Sequence, residues 1–278
     1  WLYINGETVV FEGSVKRGPT KNSGYYDSID IAPYLKEGEN SICALVWFWD
    51  NETSYSYSGS GQGGFIFEAI NEDVTIISDK SWKVKRNTAY IDSPFYPPNY
   101  RLPEYSICFD ARKNMGNWTD ADYDASSWEN ATEYATGGEG VYGKLYPRGI
   151  PFLKDYGLKD YENSKSYENY TVSNFFGEKI TVDIPYNAQL TPYLKLIAPA
   201  GKKIRITTEN TLIGAVSTTY ITKKGEQEFE SLGWFNGEHI TYKIPRGVTV
   251  VSLKYRETGY DSSFCGNFKC DDEFLNSL

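Results

Sequence analysis

The strongest constraint on the fold is the absence of helical periodicity over most of the chain. Short apolar runs alternate with polar residues, and Pro, Gly and Asn signals separate them at roughly 8–12-residue spacing. No segment of residues 1–265 has the repeat of an amphipathic helix of useful length. The sequence therefore predicts an all-β fold made of two tandem antiparallel β-sandwich domains, jelly-roll-like in character.

Composition agrees with this class and excludes two kinds of partner. The 278 residues include 24 Tyr, 14 Phe and 7 Trp, and aromatic side chains suit the half-buried face of a pleated strand. A net charge of −9 argues against a nucleic-acid partner, because phosphates require a basic surface. No stretch approaches the roughly 20 apolar residues of a membrane span, so no span is predicted.

The Gly-rich stretch at 136–144 divides the chain into two parts. We predict a first sandwich over 1–142, a second over 143–265 and a junction over 266–278. In the junction, Asp271, Asp272 and Glu273 mark the start of a helix, because acidic residues favour a helix N-terminus. A helix that ends within about two turns is not stable alone. The chain also starts within an apolar run, so we expect it to be a segment of a larger protein.

Turn residues predict where strands reverse. Asn5-Gly6 separates two apolar runs and suits a type I′ hairpin. Ala200-Gly201 and Arg246-Gly247 predict two further reversals in the second half. Proline and glycine also separate EKITVDIPYN from TPYLKLIAPAG, which predicts two different strands there.

Cysteine and histidine offer little chemistry. Cys43 lies in an apolar run that predicts a buried strand with a free thiol, while Cys265 and Cys270 either pair across a short loop or stay reduced. Four scattered cysteines do not make a disulfide scaffold. His239 is the single histidine and there is no Cys-x-x-Cys motif, so a zinc site is poorly supported.

The best candidate for ligand binding is the segment VWFWDNETSYSYSGSGQGG. Sugars bind to exposed aromatic rings that cover the CH face of a pyranose, together with polar groups that bind the hydroxyls. The candidate carbohydrate-binding residues are Trp47, Trp49, Asp50, Asn51, Tyr55 and Tyr57. The alternative is that the tryptophans belong to the core and the loop is merely polar.

Other polar groups have structural interpretations. We expect Trp234 to be a core residue and His239 a surface residue, with an interdomain contact as the alternative. Arg256, Glu257, Tyr260 and Asp261 predict a hydrogen-bond network, since the guanidinium binds carboxylates in a planar fork. The acidic runs at 120–124 and 271–273 are expected in turns and at a helix start, not in catalysis.

Six segments, in order, resemble the N-terminal β-domains of bacterial α-L-rhamnosidases, which are glycoside hydrolases that remove terminal rhamnose. They are LYINGE, IDIAPYLKEGENSICALV, SDKSWKV, FDARKNMGNWTDADYDASSWENA, LYPRGIPFL and YRETGYDSSFCGNFKCDDEFLN. The second of these is similar to a family pattern of an aspartate, a leucine, GEN and an apolar strand. The fourth is similar to the family's DAR…W…D-D-S-x-W signature.

The resemblance implies that the parent protein continues into an (α/α)6 barrel that holds the catalytic carboxylates. Enzymes of this type invert the anomeric centre, which needs two carboxyls roughly 6.5–9.5 Å apart. No residue of this chain is assigned to that role. Some family members bind rhamnose through calcium near the equivalent loop, so Asp50 and Asn51 are the candidate Ca²⁺ ligands. The loop departs from the family form, with WDNETS in place of GDGW or GNGW.

The sequence thus predicts a non-catalytic accessory and substrate-recognition region of an α-L-rhamnosidase-like hydrolase. Its expected partners are a rhamnose-containing carbohydrate and its own catalytic domain, and a bacterial parent would work in the periplasm or outside the cell. The alternatives are a stand-alone carbohydrate-binding or adhesion module and a structural spacer without a ligand. Fold resemblance by itself does not decide among them.

Overall fold

Strands provide nearly all the regular structure. The computed structural model describes residues 1–13, 19–20, 23–48, 63–91, 106–135, 139, 143–208, 216–260 and 266–277. In chain order the strands are β1 (Leu2–Ile4), β2 (Glu7–Val10), β3 (Ser23–Tyr26), β4 (Ile42–Ala44), β5 (Glu68–Ile70), β6 (Thr75–Ile77), β7 (Lys83–Val84), β8 (Tyr90–Ile91), β9 (Ile107–Asp110), β10 (Glu129–Asn130), β11 (Lys144–Pro147), β12 (Leu153–Asp160), β13 (Tyr170–Thr171), β14 (Glu178–Ala198), β15 (Lys203–Thr208), β16 (Ser217–Ile221), β17 (Gly225–Glu230), β18 (Phe235–Ile244) and β19 (Thr249–Tyr260). The all-β prediction is confirmed.

Helical structure in the described residues is short. Turns of 3-10 helix span Ala32–Tyr34, Ala111–Lys113 and Ser164–Tyr167, and one α-helix, α1, spans Glu273–Asn276. The predicted helix start is confirmed, because the Asp272 carboxylate accepts hydrogen bonds from the backbone N–H of Phe274 and Leu275. A carboxylate at this position satisfies donors that the first helical turn leaves without partners.

The first hairpin forms where the sequence predicts it. Strands β1 and β2 pair antiparallel, and Asn5 and Gly6 both adopt positive φ, 53° and 83°. Strand β4 pairs on the other side of β1 and gives the order β2-β1-β4. The Asn5 side chain also donates to the Tyr34 carbonyl at 3.0 Å, which ties the hairpin to the segment before β4.

The second half of the chain is organised around a ten-stranded sheet with the path β12-β19-β14-β18-β15-β16-β9-β8. Strand β13 adds to β19, and β17 adds to β14. Two of these strands, β8 and β9, come from the first half, and β9 runs parallel to β16. A second parallel pair joins β3 to β11. Hydrogen bonds of both pairs therefore link residues before 142 to residues after it.

The core lies along this sheet. Its largest fully buried aromatic side chains include Tyr161, Tyr220, Phe235 and Tyr242, which pack with Ile, Leu and Val residues that alternate along β14, β15, β18 and β19. The hydroxyls of Tyr161 and Tyr242 lie 2.9 Å apart, so two buried polar groups satisfy each other. This arrangement is expected because a buried hydroxyl without a partner costs free energy.

Strand β14 differs from the prediction of two strands separated at prolines. It is continuous over 21 residues. Pro185 falls between the pairs Asp183–His239 and Ala188–Gly237, where the register with β18 shifts. Pro192 falls between the end of pairing with β18 at Leu190 and the start of pairing with β17 at Tyr193. Each proline thus lies where that side of the ladder is interrupted, so its missing N–H is tolerated.

Candidate functional site

The predicted aromatic segment enters the described structure only at its ends. Trp47 is half-buried and its ring stacks on Trp1, with ring centroids 6.2 Å apart and an interplanar angle of 25°. At the other end, a Cβ on Gly63 would lie 3.0 Å from the Cβ of Phe48. Phe48 and Gly63, the described residues on either side of 49–62, therefore lie close together, next to Trp47.

The remaining predicted site residues, Trp49, Asp50, Asn51, Tyr55 and Tyr57, lie outside the described residues. The sugar-binding and calcium assignments therefore stay predictions. Over the parts of the chain that the structure describes, no group of three or more His, Cys, Asp or Glu side chains is placed to hold a metal ion.

The DAR signature has a structural role. The Asp110 carboxylate accepts from the Arg112 backbone N–H at 3.1 Å and from its Nε and Nη2 at 2.8 Å and 2.7 Å. The side-chain hydrogen bond from Arg112 lowers the pKa of Asp110, despite the opposing effect of burial. This closed unit caps the 3-10 turn at 111–113, directly after β9 joins the large sheet.

The acidic runs also act in turns and caps. Asp124 accepts from the Ser126 backbone N–H at 2.9 Å. The Asp120 N–H donates to Asn117, and the Asp120 carbonyl accepts from Tyr123, so this run forms successive turns. Nearby, Trp118 packs edge-on against Tyr3 of β1, with centroids 5.6 Å apart. The segment after the DAR signature thus covers the first hairpin.

Trp234 and His239 both make specific polar contacts. The indole N–H of Trp234, which is half-buried, donates to the carboxylate of Glu12 and so links the two halves of the chain. His239 Nδ1 lies 2.8 Å from Asp183 Oδ1, and Asp183 Oδ2 accepts from the Asn163 side chain at 2.7 Å. The distance of 222 positions between Glu12 and Trp234 explains why the sequence did not reveal that contact.

The network predicted around Arg256 is present. Its guanidinium donates to Glu230 Oε1 at 2.7 Å and Oε2 at 3.1 Å, and to Asp155 Oδ2 at 2.6 Å. Burial alone would lower the pKa of Arg256, but these two carboxylates raise it overall. The network joins β12, β17 and β19, so its role is to hold three strands of the large sheet together.

The carboxylate of Glu257, next to Arg256 in the chain, is also held by hydrogen bonds. Burial opposes ionisation of Glu257, but hydrogen bonds from Lys159 Nζ at 2.5 Å and Tyr186 Oη at 2.8 Å hold its pKa below its usual range. Tyr260 accepts a hydrogen bond at its backbone carbonyl from Tyr156. The predicted fourth member, Asp261, lies outside the described residues.

The thiols remain free where the structure describes them. Cys43 is half-buried, its Sγ donates to the Trp118 carbonyl at 3.7 Å, and burial raises the pKa of this thiol. It is less buried than the apolar run predicted, because β4 covers only three residues. Cys108 is buried, and Cys270 donates to the Asp272 carbonyl. Cys265 lies outside the described residues.

A further feature was missed in the sequence. The turn between β13 and β14 carries Phe175 and Phe176, whose exposed fractions are 75% and 94%. Phe176 borders a shallow cleft of about 330 Å³ that is also lined by Lys179, Lys203 and Lys243. The sequence does contain an Asn-Phe-Phe-Gly turn before a strand whose first outward-facing residue is Lys179. It does not show that lysines of β14, β15 and β18 lie together, because that depends on the register of the sheet.

Comparison with known proteins decides the family. The model of the α-L-rhamnosidase N-terminal domain matches residues 2–145, which is more than half of the chain. The chain belongs to the α-L-rhamnosidase N-terminal domain family. This membership accounts for the order of the six resembling segments, of which the first four fall within the matched range and the fifth begins at its end.

Relatives of this rhamnosidase-family chain extend the likeness beyond residue 145. An α-L-rhamnosidase of Formosa agariphila is 24% identical over 317 residues, covering 100% of this chain and 31% of its own length. A crystal structure of a rhamnosidase of Bacillus sp. GL1 matches 99% of this chain and 52% of its own, with 13% identity and a TM-score of 0.73. A structure of a Streptomyces avermitilis α-L-rhamnosidase complexed with L-rhamnose matches 99% of this chain and 27% of its own, with 17% identity and a TM-score of 0.66.

These relatives are longer than the chain, which spans 31% of the Formosa protein and 52% of the Bacillus protein. The structural likenesses show that the fold is shared over nearly the whole chain. Among the described residues, α1 is far too short to cross a membrane, and no other helix there is long and apolar enough to do so.

Proposed function

We propose that this chain is the non-catalytic substrate-recognition region of an α-L-rhamnosidase-like glycoside hydrolase that acts on rhamnose-containing glycans. The observation that carries the proposal is the family match over residues 2–145. The parent would be an inverting hydrolase with its carboxylates in a separate helical barrel, as the resemblance implies. The predicted units 1–142 and 143–265 would act together, since β8 and β9 of the first belong to the large sheet of the second, and 266–278 would lead into that barrel.

The chemistry of the described carboxylates supports a non-catalytic role. An inverting reaction needs one carboxylic acid and one carboxylate on opposite faces of a sugar. Asp110 and Asp272 instead cap turns, and Glu230, Asp155 and Glu257 are bound by cations within the sheet. The oxygens of a carboxylate held in this way are already bound by other groups of the protein, so it is poorly placed to deliver a proton to a leaving group.

The predicted aromatic segment and one rhamnose-bound relative support the proposed role in substrate recognition. The Streptomyces enzyme was solved in complex with L-rhamnose. In this chain Phe48 and Gly63, which flank residues 49–62, lie close together next to Trp47, whose ring stacks on Trp1. Its two tyrosines and Trp49 would provide the rings that a pyranose stacks on, and Asp50 and Asn51 would bind hydroxyls or a Ca²⁺ ion.

Affinity electrophoresis in a gel containing a neutral rhamnose polymer tests this role. We expect the polymer to retard the chain, and Trp49→Ala together with Tyr55→Ala to abolish the retardation. Tyr134→Ala provides the matched control, since Tyr134 is 63% exposed and lies outside the segment. Chelation with EDTA separates the two roles of Asp50, because only the calcium role makes retardation depend on the metal. Equal retardation of the double variant and the control would exclude the segment.

A further inference from the structure

The outer face of the large sheet concentrates positive charge. Lys179 of β14 lies directly opposite Lys243 of β18, and Lys243 lies directly opposite Arg205 of β15. Lys203 is two residues before Arg205 and therefore extends from the same face. Like charges directly opposite each other on neighbouring strands destabilise a sheet. The pair of Lys179 and Lys243 thus works against folding stability in a protein whose net charge is −9.

The three lysines are also unusual in their partners. Within the described ranges, none of Lys179, Lys203 and Lys243 has an ion-pair partner. The acid in the lining of the cleft, Glu178, accepts a hydrogen bond from the Tyr170 hydroxyl at 2.6 Å. Other lysines of the same sheet are paired: Lys159 with Glu257, Lys195 with Glu226 and Lys254 with Asp160. The positive potential of this cluster is therefore available to an external anion.

An exposed aromatic ring is fixed beside the cluster. The Asn174 side chain accepts from the Phe176 backbone N–H at 3.0 Å, and the Asn174 carbonyl accepts from the Gly177 N–H at 3.0 Å. Gly177 has φ of 78°, and a Cβ there would lie 2.6 Å from the Ile244 carbonyl oxygen. The turn is thus held tightly against β18 and presents the Phe176 ring at the edge of the cleft. An apolar ring this exposed, packed mainly on its neighbour Phe175, is available to a ligand.

We propose that this lysine cleft, formed by Phe176, Lys179, Lys203 and Lys243, binds a glycan whose sugar units carry carboxylate groups. The proposal rests on the proposed function and specifies its substrate class. The ammonium groups would bind the carboxylates, and the Phe176 ring would stack on the CH face of a neighbouring sugar. An open cleft on a sheet face suits a polymer that passes across it.

The test uses a polymer of alternating rhamnose and galacturonic acid, and the same polymer after reduction of its carboxyl groups to alcohols. We expect the chain to bind the acidic polymer more tightly and to lose that advantage as salt rises. The triple variant Lys179→Gln, Lys203→Gln and Lys243→Gln should bind the acidic polymer about 5- to 100-fold more weakly. Phe176→Ala should weaken binding by about 2- to 10-fold. The reduced polymer should not respond to the lysine variant.

A triple variant at exposed lysines elsewhere, Lys36→Gln, Lys113→Gln and Lys165→Gln, has the same net charge and should bind like the wild type. Equal weakening by this control, or equal binding of polyglutamate, would overturn the proposal in favour of unspecific charge attraction. Equal binding of the acidic and reduced polymers would also overturn it. The gel with the neutral polymer and the Trp49 and Tyr55 variants tests the proposed function separately. Failure of the lysine-cleft proposal can therefore be distinguished from failure of the proposed function.

Discussion

Replacing Gly177 with alanine tests how the turn before β14 is held. The backbone conformation at φ of 78° costs an L-residue about 1–2 kcal/mol. The new Cβ would also lie 2.6 Å from the Ile244 carbonyl oxygen, and relieving such an overlap costs about 1–3 kcal/mol. The loss of freedom in the unfolded chain offsets about 0.4–1 kcal/mol. Gly177→Ala should therefore lower the free energy of unfolding by about 1–4.5 kcal/mol.

The matched control is Gly247→Ala. Gly247 has nearly the same φ, 83°, but no atom lies within 4 Å of its virtual Cβ. The control keeps the backbone strain and removes the collision, so it should cost only about 0–1.5 kcal/mol. Thermal unfolding followed by circular dichroism should show a loss of about 2–18 °C for Gly177→Ala, at about 2–4 °C per kcal/mol. Equal losses for the two variants would refute the contact between the turn and β18.

Two further predictions concern the ionic groups. Arg256→Ala leaves Glu230 and Asp155 without their shared cation and should lower the free energy of unfolding, measured in urea, by about 2–4 kcal/mol. Lys195→Ala breaks the exposed pair with Glu226 and should cost about 0–1 kcal/mol; equal costs would contradict the structural role of the Arg256 network. Because the pKa of Asp110 is lowered in the folded state, its stabilisation is present above its unfolded pKa near 3.8 and is lost as pH falls through the lower folded value. Asp110→Asn should therefore flatten the dependence of urea-unfolding stability on pH below about 4, and an unchanged slope would contradict the Asp110–Arg112 contact.

Local signals predicted much of the fold because they act over a few residues. Asn5-Gly6, Gly201 and Gly247 adopt the positive φ that their turns require, and Asp272 caps the helix that its position predicted. In each of these cases the physical cause lies within the segment itself.

Long-range pairing explains what the sequence did not reveal. Prolines normally end strands, yet β14 continues through Pro185, where its register with β18 shifts, and through Pro192, where pairing with β18 gives way to pairing with β17. The parallel addition of β9 to β16 also depends on residues more than 100 positions apart. The lysine cleft has the same origin, because alternation turns each lysine outward but only the register makes Lys179 and Lys243 neighbours.

The central claim is that this chain recognises rhamnose-containing glycans and leaves their hydrolysis to another part of its parent. Calorimetric titration with a rhamnose-terminated oligosaccharide, followed by assay of the same samples for free L-rhamnose, tests it most directly. We expect saturable heat of binding and recovery of the oligosaccharide intact. Release of L-rhamnose would place catalytic groups within these 278 residues, and an absence of binding heat would contradict the recognition role.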